Sequence, residues 1–408
     1  MKILYILSTF PVLSQTFILN EITCLIDLGH EVKIVSLYKP KDKKVHEKVK
    51  KYNLLKKTYY LIDKKYSRLE IFEKGSKELL ENKLLSKEEK FKLLDLCYDK
   101  KHGREIAFRR FLGCLDVIRI IKEKKIKHIH CHFAKENVKM AYVLNQIIKI
   151  PYTFTTHAYD IFIESNKDIK KWADGAKKVI TISNYNKKYM NENFGVDEDK
   201  IEVIHCGIEL DKFRSVDYNK SNKLNILSIA RLVEKKGIRY LIEACKILKE
   251  KGICFNCNIL GDGKLKKEFQ KLVNLYNLNR NVNFKGCVTQ EEVLREFKKC
   301  VVFSLPCVEA KNGDKDGIPV SLMEAMAMEI PTISTDITGI PELIEDGANG
   351  IVVPQKDSKA LAEAIIKIKD DKDFAENIRK QGRKKVIAKF NIKKNIKKVM
   401  KIFKSGGK

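Results

Sequence analysis

The segment Asp316-Gly-Ile-Pro-Val-Ser-Leu-Met-Glu324, running on into Ala325-Met-Ala327, decides how this chain is read. An acid and a glycine lead into Pro319, whose fixed φ suits the first turn of a helix. Glu324 follows about one turn inside that helix. A helix start gathers unpaired N–H groups and a partial positive charge, so it favours phosphate. Carboxylates on either side would repel phosphate, but they accept hydrogen bonds well from sugar hydroxyls. The segment therefore suits a diphosphate at its backbone and sugars at its two acids.

Working outward, the segment sits in a run of alternating strands and helices. Upstream come the apolar strand Leu224–Ala230, a helix from about Ile238 to Lys251, and strand Cys254–Leu260 with the turn Gly261-Asp-Gly263. A helix from Lys264 and strands at Val282–Phe284 and Val301–Leu305 precede it, and strands Thr332–Thr335 and Gly350–Val353 follow. The first half repeats the scheme. Strand Ile3–Leu7, a polar loop, a helix over Ile18–Leu28 closed by Gly29, and strand Val32–Leu37 make a parallel βαβ unit. Ile129–His132, Tyr152–Thr156 and Val179–Ser183 read as later strands, and Ile201–Phe213 ends the half with a strand and a glycine turn. Open parallel sheets place ligands beyond the C-terminal ends of their strands.

Between the halves, Ser215–Lys223 reads as a linker. From Pro40 to Lys125, Lys and Glu alternate with apolar residues at helical spacing, which predicts amphipathic helices. From about Phe374 to Phe403 the pattern is again helical and strongly basic. These divisions give an N-terminal domain over 1–210, a second over 211–380, and a basic C-terminal helix over 381–408 that crosses back to the first.

The chain has 408 residues, enough for two domains. No window approaches the roughly 20 apolar residues of a membrane span, and the N-terminus reads as a first strand rather than a signal peptide. The expected location is the cytoplasm. Lys and Arg number 81 against 53 Asp and Glu, for a net charge of +28. The excess is spread along the chain with no nucleic-acid-binding signature, so it points to anionic substrates and to peripheral contact with an anionic membrane rather than to nucleic acid. Eleven cysteines in a chain this long are too sparse for a disulfide scaffold. Cys254 and Cys257 have no second ligand pair at zinc spacing and read as free thiols beside a buried strand. His130, Cys131 and His132 likewise read as strand-end residues.

Arg231 ends a predicted strand, and Lys236-Gly237 opens the next element. A guanidinium and an ammonium converging at a helix start would neutralise a diphosphate. If the diphosphate is a leaving group, it gains charge as its bond to the sugar breaks, and cations placed there lower the barrier.

Together these motifs bring a family into view. Ala230-Arg-Leu-Val-Glu-Lys-Lys-Gly237, Leu260-Gly-Asp-Gly263, Val282-Asn-Phe-Lys-Gly286 and the Asp316–Ala327 segment resemble, in that order, family 4 glycosyltransferases. Leu28-Gly-His-Glu-Val32, Thr156-His-Ala-Tyr-Asp160 and Val203-Ile-His-Cys-Gly207 extend the likeness through the first half. The loop Pro11-Val-Leu-Ser-Gln-Thr-Phe17 is similar to the branch that builds colanic-acid-like exopolysaccharides.

The resemblance implies a GT-B fold, an α/β architecture of two Rossmann-like parallel-sheet domains facing across a cleft. It implies transfer of a sugar from a UDP- or GDP-sugar to a saccharide or lipid-linked saccharide, with retention and without metal or cofactor. By position, Arg231 and Lys236 would hold the diphosphate, with the backbone of Gly317, Ile318, Pro319 and Val320 facing it. Glu324 would bind the ribose and Asp316 the transferred sugar. Gly261 would border the donor, Gly286 and Val288 would lie by the base, and His157 near the reacting centre. Ser14 and Thr16 would line the acceptor side. Three positions depart from the pattern: Asp316 stands where relatives carry Glu, Gln15 where Glu is common, and Val301 where Asp is frequent.

Asp314-Lys-Asp316 imitates a metal-binding Asp-x-Asp, but a hard-cation site needs further oxygen ligands. An epimerase or phosphorylase on the same fold, or a non-catalytic nucleotide-sugar-binding scaffold, remains an alternative.

Overall fold

The computed structural model describes residues 1–41, 44–62, 67–98, 100, 103–163, 167–215 and 224–405. Seven strands build the first sheet: β1 (Lys2–Thr9), β2 (Glu31–Tyr38), β3 (Thr58–Ile62), β4 (His128–His132), β5 (Tyr152–Thr156), β6 (Lys178–Thr181) and β7 (Ile201–Val203). Six build the second: β8 (Leu224–Ile229), β9 (Phe255–Leu260), β10 (Val282–Gly286), β11 (Val302–Ser304), β12 (Thr332–Thr335) and β13 (Ile351–Val353). The orders are β3-β2-β1-β4-β5-β6-β7 and β10-β9-β8-β11-β12-β13.

Every pairing is parallel, with Ile3 facing Val32 on one side and His128 on the other. Strand order reverses between β1 and β4 and again between β8 and β11, which opens a crevice beyond the C-terminal ends at each point. Ile3-Leu-Tyr-Ile-Leu7 is buried throughout, as a parallel strand covered on both faces requires.

The stretch after Pro40 forms helices at Arg68–Glu81, Lys87–Cys97 and Gly103–Lys124. Two of these open on capping boxes, Ser67 with Glu70 and Ser86 with Glu89. One element there departs from the helical expectation. Thr58–Ile62 is a strand that extends the sheet beyond β2, with Val35 opposite Tyr59. Its Thr-Tyr-Tyr-Leu-Ile run is β-favouring, but it is short and hidden within the Lys-rich periodicity.

The basic C-terminal stretch also differs from a single helix. Lys372–Lys389 packs on the second lobe through Ala375, Ile378 and Val386. The chain then breaks at Phe390–Asn391, where the Asn391 side chain accepts the Lys393 N–H and starts a new helix, Ile392–Lys404. Ile396, Val399, Met400 and Phe403, spaced as one helix face, join the core of the first lobe. Backbone bonds Ile208 N–H to Phe390 O (2.9 Å) and Ile392 N–H to Ile208 O (3.1 Å) fix this second crossing beside the first. The expected linker at Ser215–Lys223 falls, apart from Ser215, outside the described residues.

Candidate active site

A cavity of about 500 Å³ opens between the two sheets at their C-terminal edges. Ser8, Ser14, Thr16, Phe17, Phe133 and His157 line it from the first lobe, and Arg231, Lys235, Lys236 and Asp316–Ser321 from the second. The Val320–Ala327 helix begins in its wall, with Pro319 at the N-cap in extended conformation. Pro319 makes no side-chain cap hydrogen bond, and an uncapped helix start of this kind favours an anion. Ser321 Oγ donates to Ile229 O at the end of β8 (3.1 Å), which ties the helix start to the switch point.

Arg231, Lys235 and Lys236 line one wall of this cavity. Lys236 Nζ lies 2.6 Å from Asp316 Oδ2. Buried Lys235 reaches Asp314 Oδ1 at 2.9 Å and Asp316 Oδ1 at 3.4 Å. Burial would raise the Asp316 carboxyl, yet Lys236 and Lys235 hold it lowered to about 2. Burial likewise works against the Lys236 ammonium, and Asp316 beside it raises its pKa overall. Asp316 thus spends its charge on two lysines, a partnership not evident from spacing. Arg231 is exposed in the cavity wall, and no carboxylate among the described residues pairs with it.

Glu324, Gly261, Gly286 and Val288 stand outside the cavity lining. Glu324 lies three residues after Ser321 and so shares the helix face turned to the end of β8. It has no ion partner among the described residues, and burial raises its carboxyl to about 8. Gly261 and Gly286 meet at the ends of β9 and β10, where Gly261 N–H donates to Gly286 O (2.8 Å). Gly261 has φ +129°, and a Cβ there would come within 1.9 Å of Ala230 O. Val288 packs partly buried against the core of the second lobe.

On the opposite wall, His157 is 6% exposed and its ring lies 4.5 Å from those of Phe17 and Phe133. Asp160 braces the turn, accepting the His157 N–H at 3.0 Å and the Ala134 N–H at 2.9 Å. Burial, reinforced by neighbouring His132, holds the His157 imidazole well below its ordinary pKa. His132 Nδ1 is 3.0 Å from His157 Nε2, and His132 Nε2 is 2.9 Å from Glu21 Oε1. Nothing in the sequence marks Glu21, and His132 does end β4, as its strand-end reading expects. The alternation of His128, His130 and His132 along β4 is the signal that puts all three on one face.

Glu21, His130 and His132 bring their ligand atoms within 4.8 Å of one another. Both nitrogens of each histidine are already occupied, however: His130 by Thr153 (2.8 Å) and Thr155 (3.2 Å), His132 by Glu21 and His157. The cluster is therefore a hydrogen-bond network. Cys254 is exposed, Cys257 is buried in β9, and both are free thiols.

Residues 211–385 match the family model described as Glycosyl transferases group 1, and residues 86–212 the one described as Glycosyltransferase Family 4. The putative colanic acid biosynthesis glycosyltransferase WcaL of Salmonella typhimurium is 32% identical over 401 residues, covering 96% of each chain. The amylovoran biosynthesis glycosyltransferase AmsK of Erwinia amylovora is 30% identical over 399 residues, again covering 96% of each. Among solved structures, a glycosyltransferase from Rickettsia africae superposes with TM-score 0.72 at 20% identity, covering 98% of this chain and 97% of the other. HepE of Anabaena, solved with UDP-glucose, does so with TM-score 0.72 at 14% identity and 98% coverage of both. The fold is GT-B. Matched across both halves and along nearly its whole length, this chain is a glycosyltransferase and belongs to glycosyltransferase family 4.

Proposed function

We propose that the protein transfers a sugar from a UDP- or GDP-sugar to a saccharide or lipid-linked saccharide during exopolysaccharide assembly, with retention and without a metal. The carrying observation is Arg231, which pairs with no carboxylate among the described residues, beside Lys236 and the Val320 helix start, across one cavity from His157. Arg231 and Lys236 would take the diphosphate, with Gly317–Val320 facing it. Glu324 would accept from the ribose, Gly261, Gly286 and Val288 would border the nucleoside, and Ser14 and Thr16 would line the acceptor side. Asp316 keeps Lys236 in place, and a carboxylate has lone pairs to spare for a sugar hydroxyl. The names of WcaL and AmsK support the polysaccharide context, and HepE solved with UDP-glucose supports the donor class.

Two observations bear on the finer points. Asp314 and Asp316 already share Lys235, so the Asp-x-Asp pair is a poor hard-cation site. Lysines 393, 394, 397, 398 and 401 are exposed on the C-terminal helix, which supports peripheral contact with anionic lipid. Co-sedimentation with phosphatidylglycerol vesicles should be strong at low salt and lost at high salt. Equal binding to neutral phosphatidylcholine vesicles would remove the membrane reading.

Transfer assays with a panel of nucleotide sugars test the function. Arg231→Ala and Glu324→Ala should each lower turnover about 100-fold or more, the scale of one lost preorganised hydrogen-bonding group, and EDTA should leave the rate unchanged. Near-normal rates in both variants would defeat the assignment. Free sugar released quickly without acceptor would favour the epimerase alternative.

A further inference from the structure

Behind His157 runs a buried chain of hydrogen bonds that the donor site does not use. Tyr5 OH donates to Glu21 Oε1 (2.7 Å), and the same oxygen lies 2.9 Å from His132 Nε2. His132 Nδ1 lies 3.0 Å from His157 Nε2. The two imidazoles stack at 5.3 Å between centroids, and His132 is 2% exposed. Glu21 Oε1 accepts the Tyr5 O–H and faces His132 Nε2 as a second acceptor contact. His132 must therefore carry its proton on Nε2.

One proton remains to be placed between His132 Nδ1 and His157 Nε2. Putting it on His132 would make a buried imidazolium that gains the Glu21 carboxylate at 2.9 Å but lies against His130, whose ring centroid is 4.9 Å away. Putting it on His157 keeps both rings neutral. His157 Nδ1 then carries a lone pair, has no partner among the described residues, and belongs to the only nitrogen-bearing ring of this chain of bonds that lines the cavity.

We infer that Glu21 and His132 are positioning residues that lock His157 in its neutral Nε2–H tautomer, so that Nδ1 accepts a hydrogen bond from a sugar hydroxyl in the cleft. The inference rests on the proposed sugar-nucleotide reading of that cleft. It assigns this wall a preference for a hydroxyl donor over a group that can only accept. The order of elements supports it, because the first helix carries Glu21, β4 carries His132, and His157 follows β5, so three separate elements converge on one line of bonds.

Long-range ¹H–¹⁵N correlation spectra of the histidine rings in the full chain test this, with His157 assigned by His157→Gln. The wild type should show His157 as a single Nε2–H tautomer at pH 7.5. Glu21→Leu and His132→Phe should each shift His157 toward the Nδ1–H form or a mixture, and lower kcat/KM at least tenfold. Both variants should keep wild-type affinity for UDP or GDP, and Glu21→Asp should recover part of the activity. A His157 protonated on Nδ1 in the wild type would overturn the inference, even if both variants failed to fold. So would an unchanged tautomer in two folded variants. Failure of the wild type to bind either nucleotide would sink the donor reading instead, and the tautomer measurement distinguishes the two failures.

Discussion

Glu324 is an acid with no ion partner among the described residues, and burial alone raises its carboxyl to about 8. A ribose diol donates to the ionised form, so nucleotide binding should expel a proton. Affinity for UDP or GDP should therefore tighten as pH rises from 7 toward 8.5 and level off above, and Glu324→Gln should flatten that slope; calorimetry across pH measures both. The same raised pKa works against the empty fold: the stability it contributes is complete below the ordinary Glu range and is lost as pH rises through about 8. Glu324→Gln should thus gain melting temperature over the wild type at pH 9 and not at pH 4. A wild-type Kd flat across that range would show that the acid does not meet the ribose. The acids were legible in the sequence, but their surroundings were not. Spacing singles out Asp316 and Glu324 as candidates, while the Lys235–Asp314–Asp316 cluster and the Glu21–His132–His157 chain join residues dozens of positions apart.

The elements with the strongest periodicity were the most legible. Central strands β1, β4, β5, β8 and β9 are apolar runs bounded by turns, and the structure forms them within a residue or two of the expected ends. β3 was not legible, because an edge strand of five residues within a Lys-rich helical rhythm has too little pattern of its own. The break at Phe390–Asn391 escaped for another reason: a helical pattern continues on both sides of it, and only the docking partners change. That docking makes a prediction. Ile396 is fully buried against the first lobe, and Ile396→Ala should cost about 2–5 kcal/mol in chemical denaturation. Exposed Lys397→Ala should stay within about 0.5 kcal/mol. If the two variants denatured alike, the helix would not hold the first lobe in the way its burial implies.

The whole molecule is two switch points turned toward one another. Each sheet alone offers a crevice; facing each other, they set the cation wall of the second lobe opposite the histidine wall of the first. Contacts beside the cleft hold this arrangement: Glu342, at the start of a short helix in the second lobe, accepts from Asn184 Nδ2 (2.9 Å) and the Tyr185 N–H (3.1 Å) of the first. Gly317 permits the close approach, since a Cβ there would stand 2.6 Å from Ile182 Cδ1. The excess positive charge is spread widely, so the account depends on the few cations that the fold concentrates at the helix start. Isothermal titration of UDP and GDP into the wild type, Arg231→Ala and Lys236→Ala tests that claim most directly. The wild type should bind at least one nucleotide, and each variant should lose at least tenfold in affinity, about 1.4 kcal/mol. Variants that bind as the wild type does, or a wild type that binds neither nucleotide, would contradict it.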